Sequence, residues 1–191
     1  MDLCLIRHTT PLVVPGTCYG RLDVPLAAIQ RQDIAAVLDR LSRMPAVEAV
    51  WTSPSTRCRQ LAAALAQQRS VPLTEDVRLQ ELHFGDWEGR RWDEIDRRES
   101  DVWAADYWNI APPGGETYRA LAERMSGVIE AASQSGLTRL ALVTHAGPIR
   151  SALGRCLKLE PTRHAELSVN FGGISVLVGD GSSWRVEVIN A

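Results

Sequence analysis

The sequence predicts an α/β fold, a three-layer α/β/α sandwich with helices on both faces of a mostly parallel mixed sheet. Three short apolar runs, at residues 3–6, 47–52 and 140–144, have the length and composition of strands buried on both faces. Segments with helical periodicity follow or separate these runs, and further strand patterns end the chain. This alternation is typical of parallel strands joined by crossover helices.

The first half of the chain is predicted to begin with the buried strand and a long loop at residues 9–25. A helix is expected at residues 26–44, where apolar residues recur at helical spacing. After the strand at 47–52, a second helix is expected at residues 55–68. Ser53 is the candidate N-cap of that helix, with a proline directly after it.

The second half is predicted to contain short elements and two longer helices. An Asp-Gly pair between the last two apolar runs indicates a hairpin turn. The expected elements are a short strand at 77–79, a loop at 80–89, two short helical pieces within 92–108, an amphipathic helix at 118–133, a helix from 147 to about 157, and strands at 166–170, 174–178 and 184–189.

Composition limits the classes of function. The chain has 191 residues, 45% of them hydrophobic, which suits one domain of ordinary size. A net charge of -2 and the lack of a Lys/Arg run argue against nucleic-acid binding. No apolar run approaches the ~20 residues that cross a bilayer, and no basic segment precedes a long apolar stretch, so a cytoplasmic protein is expected. The four cysteines show no C-x-x-C spacing and are expected to be unpaired.

Polar residues that suit phosphate chemistry follow all three buried strands. Arg7 and His8 end the first strand, Arg57 lies just past the second, and His145 follows the third. Carboxyl ends of parallel strands share one edge of a sheet, so these side chains are expected to converge. Glu81 lies in a loop able to cover the same edge. The alternative is a set of unrelated surface charges at strand ends.

Such a cluster suits a phosphoryl group. Arginine donates parallel hydrogen bonds to phosphate oxygens, and a neutral imidazole is a nucleophile near pH 7. A carboxylic acid then supplies the proton that a departing alkoxide needs. The four histidines have no ligand spacing with acids or cysteines, so no metal site is expected.

Five segments, in order along nearly the whole chain, resemble the histidine phosphatase superfamily, whose members include cofactor-dependent phosphoglycerate mutase. They lie at residues 5–8, 51–57, 79–89, 113–117 and 143–150. The resemblance implies a phosphoglycerate mutase-like fold, one domain over residues 1–191, and a phosphomonoesterase that needs no metal or cofactor. It implies a small-molecule phosphate monoester as partner, and it leaves open whether the chain is a monomer or a homodimer.

The resemblance also implies roles for five residues. His8 is expected to be the nucleophile that becomes phosphohistidine. Arg7, Arg57 and His145 are expected to line the phosphate pocket. Glu81 is expected to donate a proton to the leaving group and then to activate water.

Two positions depart from the superfamily pattern. Thr9 stands where glycine usually follows the nucleophilic histidine, and Val14 stands near the place of a frequent asparagine. One phosphate contact is therefore expected to be missing. These departures motivate an alternative of another class, a phosphate-binding pseudoenzyme.

The loop at residues 16–26 resembles that of alpha-ribazole-5'-phosphate phosphatases, which act in cobalamin assembly. It favours alpha-ribazole 5'-phosphate as substrate, and a phosphatase or mutase for sugar phosphates, nucleotides or phosphoglycerate is the alternative. Tyr19, Gly20 and Trp87 are expected to contact substrate. The tryptophans that crowd this region are expected mainly to pack short helices onto the sheet, with one able to stack on an aromatic leaving group. They are Trp87, Trp92, Trp103 and Trp108.

Overall fold

The computed structural model describes residues 1–25 and 30–191. In this part of the chain, one sheet of six strands runs in the order β3-β2-β4-β1-β5-β6. Strand β4 pairs in parallel with β1 and with β2, and β2 pairs in parallel with β3. Strands β5 and β6 add an antiparallel edge. The strands are β1 (Asp2–Arg7), β2 (Ala49–Thr52), β3 (Leu73–Glu75), β4 (Arg139–Thr144), β5 (Ile174–Gly179) and β6 (Trp184–Val188).

Five α-helices and several 3-10 turns connect the described strands. The first four residues of the helix expected at 26–44 lie outside the described residues, and its described part begins at residue 30. The helices are α1 (Gln30–Ser42), α2 (Thr56–Arg69), α3 (Arg97–Ala105), α4 (Tyr118–Gln134) and α5 (Ala146–Cys156). The 3-10 turns are Val77–Leu79, Gly85–Trp87, Trp92–Glu94 and Pro161–Glu166.

The sheet separates two apolar cores. In β1, Leu3 and Leu5 face one core, which contains residues of α4 and α5. Cys4 and Ile6 face the other core, which contains residues of α1 and α2. Alternate residues of a strand point to opposite faces, so burial on both faces requires an unbroken apolar run. The predicted α/β/α arrangement is confirmed, and the extent of a single domain stays a prediction.

The pairing register aligns the carboxyl ends of β1, β2 and β4. Arg7 pairs with Thr144, and Thr52 pairs with Val143 on the other side of β4. The residues that follow these strands therefore begin at the same edge of the sheet. This edge holds the candidate site.

Three local expectations are wrong. Residues 77–79 form a 3-10 turn rather than a strand, because the Asp76 carboxylate accepts a hydrogen bond from the backbone N–H of Arg78 at 2.9 Å and starts a turn. The strand lies earlier, at β3. Residues 166–170 form no strand, since the turn Pro161–Glu166 runs into irregular backbone. Ser53 does not cap α2, which begins after Ser55 and whose Thr56 N–H donates to the carboxylate of Asp23, at 2.7 Å.

The cysteines are all free, as expected, and three of the four are buried. Within residues 1–25 and 30–191, no helix is long and apolar enough to cross a membrane. The same residues contain no group of three or more His, Cys, Asp or Glu side chains arranged to hold a metal ion.

Candidate active site

The residues that follow the three buried strands do converge. The ring centroids of His8 and His145 lie 5.1 Å apart. A terminal nitrogen of Arg57 lies 3.3 Å from Nδ1 of His145. All three side chains are at most 1% exposed. The edge of the sheet thus gathers two imidazoles and a guanidinium in a site shielded from water.

His8 is held as one tautomer. Its Nδ1 lies 2.7 Å from the carbonyl oxygen of Thr9, which only accepts hydrogen bonds, so Nδ1 carries the proton. Nε2 therefore keeps its lone pair. Burial, and then the charges of Arg57 and Arg7, hold the pKa of His8 well below its usual value. A neutral imidazole with a free Nε2 is the form required of a nucleophile.

His145 is held as the opposite tautomer. The guanidinium of Arg57 only donates, so Nδ1 of His145 accepts from it. Nε2–H then donates to the hydroxyl of Ser53, at 2.8 Å. Burial, and then His8 and Arg57, hold the pKa of His145 well below its usual value. Ser53, expected to be a helix cap, instead orients this imidazole.

We expect the two buried histidines to make the fold sensitive to mild acid. In the unfolded chain they titrate near pH ~6.5. Their pKa values are lowered in the folded protein. Below pH ~6.5 the unfolded state therefore binds more protons than the folded state, and the free energy of unfolding decreases as the pH is lowered. Each histidine should cost about 1 kcal/mol between pH 7.5 and pH 5.5.

Urea unfolding at the two pH values measures this loss. The variant His8→Asn removes one of the two groups and should lose about 1 kcal/mol less stability than the wild type over the same interval. An equal loss in both proteins would show that His8 does not carry the effect.

Arg7 and Arg57 each present an unsatisfied donor. Arg57 donates to the carbonyl oxygens of Leu22 at 2.6 Å and Gly20 at 2.7 Å. Arg7 donates to the carbonyl oxygen of Val169 at 2.5 Å. In both side chains Nε is buried with no hydrogen-bond partner among the described residues. A buried unpaired donor costs about 1–3 kcal/mol, a cost that a bound oxyanion would remove.

The loop after β1 closes around these arginines. The Tyr19 ring lies 5.2 Å from the guanidinium carbon of Arg57. Burial raises the pKa of Tyr19, and the nearby charge of Arg7 lowers it in part. Gly20 contributes its carbonyl to Arg57 and has a φ of +38°. A Cβ at this position would lie 2.4 Å from an oxygen of Glu88. Glycine therefore lets the loop approach the site closely.

Thr9 and Val14, the two residues that depart from the superfamily pattern, have different surroundings. Thr9 supplies the carbonyl that fixes the His8 tautomer, and its backbone does not take the left-handed conformation that favours glycine. Its hydroxyl is buried without a partner among the described residues. Val14 is 63% exposed.

Glu81 lies against the beginning of α5. Its carboxylate oxygens accept from the backbone N–H of Gly147 at 3.1 and 3.2 Å, and one accepts from Leu82 N–H at 2.9 Å. A Cβ on Gly147 would lie 2.2 Å from the carboxylate, so only glycine permits this approach. His145 immediately precedes α5. The same helix start thus carries one imidazole and positions the acid.

Glu116, in the 113–117 segment, fixes the loop that carries Glu81. Its carboxylate accepts from Arg21 at 2.9 Å, from Arg124 at 2.7 Å and from the backbone N–H of His83 at 3.0 Å. Burial alone would raise the pKa of Glu116, but the hydrogen bond and charge of Arg124 lower it. Arg124 and Arg21 also donate to the carbonyl of Glu81, at 2.9 and 3.2 Å. This network explains the position of the acid.

A pocket of about 160 Å³ opens beside Glu81. Aromatic and aliphatic side chains form most of its wall, which makes it suited to a flat apolar group. The residues that line it are Glu81, Leu82, Phe84, Trp103, Tyr107, Tyr118, Gly147, Arg150 and Ala165.

Trp87, which is expected to contact substrate, is not among the residues that line this pocket. Trp87 is 1% exposed and packs with Cys18 and Ile95. Its indole N–H donates to Glu99 at 3.2 Å. Trp103, on α3, provides the tryptophan of the pocket wall, because the short helix turns this residue back toward the Glu81 loop.

Two further residues near the site were not anticipated. Phe171 stacks on the guanidinium of Arg7, with the carbon atom 3.7 Å from the ring centroid, and lies 5.5 Å from the His8 ring. No sequence pattern marks it. Arg150 lies in the matched segment 143–150, but only the pocket lining gives it a place in the site.

Known proteins resemble this chain in sequence and in fold. The family model described as histidine phosphatase superfamily (branch 1) matches residues 3–191. The adenosylcobalamin/alpha-ribazole phosphatase of Salmonella typhimurium is 29% identical over 164 residues, 83% of this chain and 81% of that protein. An alpha-ribazole phosphatase structure from Shigella flexneri has a TM-score of 0.89 at 23% identity, over 100% of this chain and 96% of the other. A mycobacterial glucosyl-3-phosphoglycerate phosphatase has a TM-score of 0.87 at 25% identity, over 100% and 98%.

Proposed function

The chain belongs to the histidine phosphatase superfamily and is a phosphatase of that kind, and on this premise we propose that it hydrolyses phosphate monoesters through a phosphohistidine on His8. The observation that carries the proposal is the free Nε2 of a neutral, buried His8 beside Arg7 and Arg57, whose Nε donors have no partner in the described part of the chain. This arrangement combines a nucleophile with buried donors that suit a phosphoryl group.

In the first step, Nε2 of His8 attacks phosphorus, and the bond from phosphorus to the ester oxygen breaks. Arg7 and Arg57 donate to the phosphoryl oxygens and neutralise their charge, and His145 lines the same pocket against Arg57, so this step takes no metal ion. Glu81 gives its proton to the departing alkoxide, and the alcohol leaves.

In the second step, the ionised Glu81 takes a proton from water, which attacks the phosphohistidine. The bond from phosphorus to Nε2 breaks and inorganic phosphate leaves. His8 returns to the tautomer held by the Thr9 carbonyl, and Glu81 is again protonated. Substrate and water thus become alcohol and phosphate, with the enzyme unchanged.

For the substrate we favour alpha-ribazole 5'-phosphate, in cobalamin biosynthesis. The relative from Salmonella typhimurium, whose name carries that activity, supports this choice. The apolar pocket beside Glu81 supports it too, because the leaving alcohol carries a flat bicyclic base. Phosphatases or mutases for sugar phosphates, nucleotides or phosphoglycerate are the alternatives. The cytoplasmic location and the small-molecule partner belong to the same proposal.

The apolar pocket predicts an order of kcat/KM values among substrates. We expect kcat/KM for alpha-ribazole 5'-phosphate to exceed that for ribose 5-phosphate, which lacks the base, by at least about tenfold, since aromatic stacking is worth ~0.5–1.5 kcal/mol beyond burial. It should also exceed the value for 3-phosphoglycerate. Steady-state kinetics on the three esters measure this ranking, and ribose 5-phosphate or 3-phosphoglycerate in first place would defeat the cobalamin assignment.

Turnover of p-nitrophenyl phosphate separates the enzyme from the phosphate-binding pseudoenzyme. This ester needs no help to leave and tests the His8 chemistry without substrate specificity. Binding of phosphate without turnover of this ester or of the three natural ones would favour the pseudoenzyme.

A further inference from the structure

Arg150 differs from the other arginines at the site because its terminal nitrogens are unused. Its Nε–H donates to the carbonyl of Leu167, at 2.9 Å, which anchors the side chain. Among the described residues, its two terminal nitrogens have no hydrogen-bond partner, and it forms no ion pair. By contrast, Arg21 and Arg124 both pair with Glu116.

The position of Arg150 relates it to the leaving group rather than to the phosphoryl group. It lines the apolar pocket with Glu81, the proposed proton donor to the leaving alcohol. Its charge lowers the pKa of Tyr118 against the larger effect of burial, so it lies near that wall of the pocket. Arg7 and Arg57 occupy the phosphate side.

An unpaired guanidinium in an apolar pocket restricts what can bind there. A purely apolar leaving group would displace water from the cation and offer no replacement, at a cost in free energy. The planar fork of arginine matches two oxygen acceptors held side by side. A leaving alcohol with an apolar part and two neighbouring oxygen acceptors would pack against the apolar side chains of the pocket and bind the guanidinium of Arg150.

We propose that Arg150 is a specificity residue that binds a pair of neighbouring oxygen acceptors on the leaving alcohol. Two sources have this chemistry, the vicinal hydroxyls of a ribose and the carboxylate of an acid such as phosphoglycerate. The inference rests on the proposed function, because it takes Glu81 to mark the leaving-group side.

Matched substrate pairs test the inference. Adenosine 5'-monophosphate and its 2',3'-dideoxy analogue differ in the diol, and phosphoserine and phosphoethanolamine differ in the carboxylate. In Arg150→Gln we expect the preference for the oxygen-bearing member of one pair to fall by at least about tenfold, the value of a charge-assisted hydrogen bond. Arg150→Lys should recover only part of that preference, because lysine keeps the charge and loses the fork.

The control is Arg155→Gln, on the same helix, whose side chain is exposed and bonds to Ser126 outside this pocket. It should not alter either preference. A fall in the first pair identifies the diol, and a fall in the second identifies the carboxylate.

Equal losses on both members of both pairs in Arg150→Gln would mean a structural role and overturn the inference while the proposed function stands. If the wild-type protein turns over neither these esters nor p-nitrophenyl phosphate, the proposed function fails and the inference fails with it.

Discussion

Replacing His8 with alanine is expected to abolish hydrolysis of every phosphate ester, with a loss of at least about 10⁴-fold in kcat, because the covalent route disappears. Among the protein's own atoms, only Nε2 of His8 forms a bond to phosphorus in the proposed mechanism. Steady-state turnover of p-nitrophenyl phosphate by His8→Ala measures the effect.

The control for this variant is phosphate binding. Arg7 and Arg57 remain in His8→Ala, so inorganic phosphate should still raise the temperature of unfolding. Lost turnover with retained binding identifies a missing nucleophile rather than a collapsed pocket. Turnover near the wild-type level would remove His8 from the reaction.

Replacing Glu81 with glutamine should produce a loss that depends on the leaving group. For an alkyl ester, formation of phosphohistidine should slow by ~10²–10⁴-fold, since the alkoxide leaves without its proton. For p-nitrophenyl phosphate the same step should hardly change. Glutamine has the shape of glutamate and keeps an oxygen for the Gly147 N–H, so the position of the loop is preserved.

The first step must be isolated for this test, because Glu81 also serves the second step. Rapid-quench measurement of the burst gives its rate for both esters. Asp86→Asn is the matched control, an exposed carboxylate in the same loop. Equal losses on the two esters in Glu81→Gln, or a leaving-group dependence in Asp86→Asn, would move the acid role to another residue.

The core strands and the convergence at their ends could be read from sequence for a physical reason. Strands buried on both faces must be apolar without interruption, so β1 and β4 stand out from amphipathic helices. Parallel topology then places their carboxyl ends on one edge. His8 and His145, distant in sequence, meet there because of that topology rather than any local signal.

The errors arise where tertiary contacts override local pattern. The run at 166–170 alternates like a strand, but its carbonyls serve arginines instead of a ladder: Leu167 accepts from Arg150 and Val169 from Arg7. A strand would have used those carbonyls for pairing. Similarly, Ser53 precedes a helix as a cap would, yet its hydroxyl serves His145.

The sequence does not predict which tryptophan ring lines the pocket. Sequence placed Trp87 and Trp103 in one region and gave no direction for either ring. In the structure Trp87 is buried against Cys18 and Ile95, and Trp103 lines the pocket. Which ring lines the pocket depends on how α3 packs, and helix packing is set by contacts that are not local in sequence.

Trapping the covalent intermediate shows directly whether His8 carries the phosphoryl group. Wild-type protein is mixed with substrate, quenched in alkali within one turnover, digested and analysed by mass spectrometry for the phosphorylated residue. We expect one phosphoryl group on His8, formed and consumed at rates consistent with turnover. Phosphate on another residue, or full turnover with no phosphorylated His8 at any time, would contradict it.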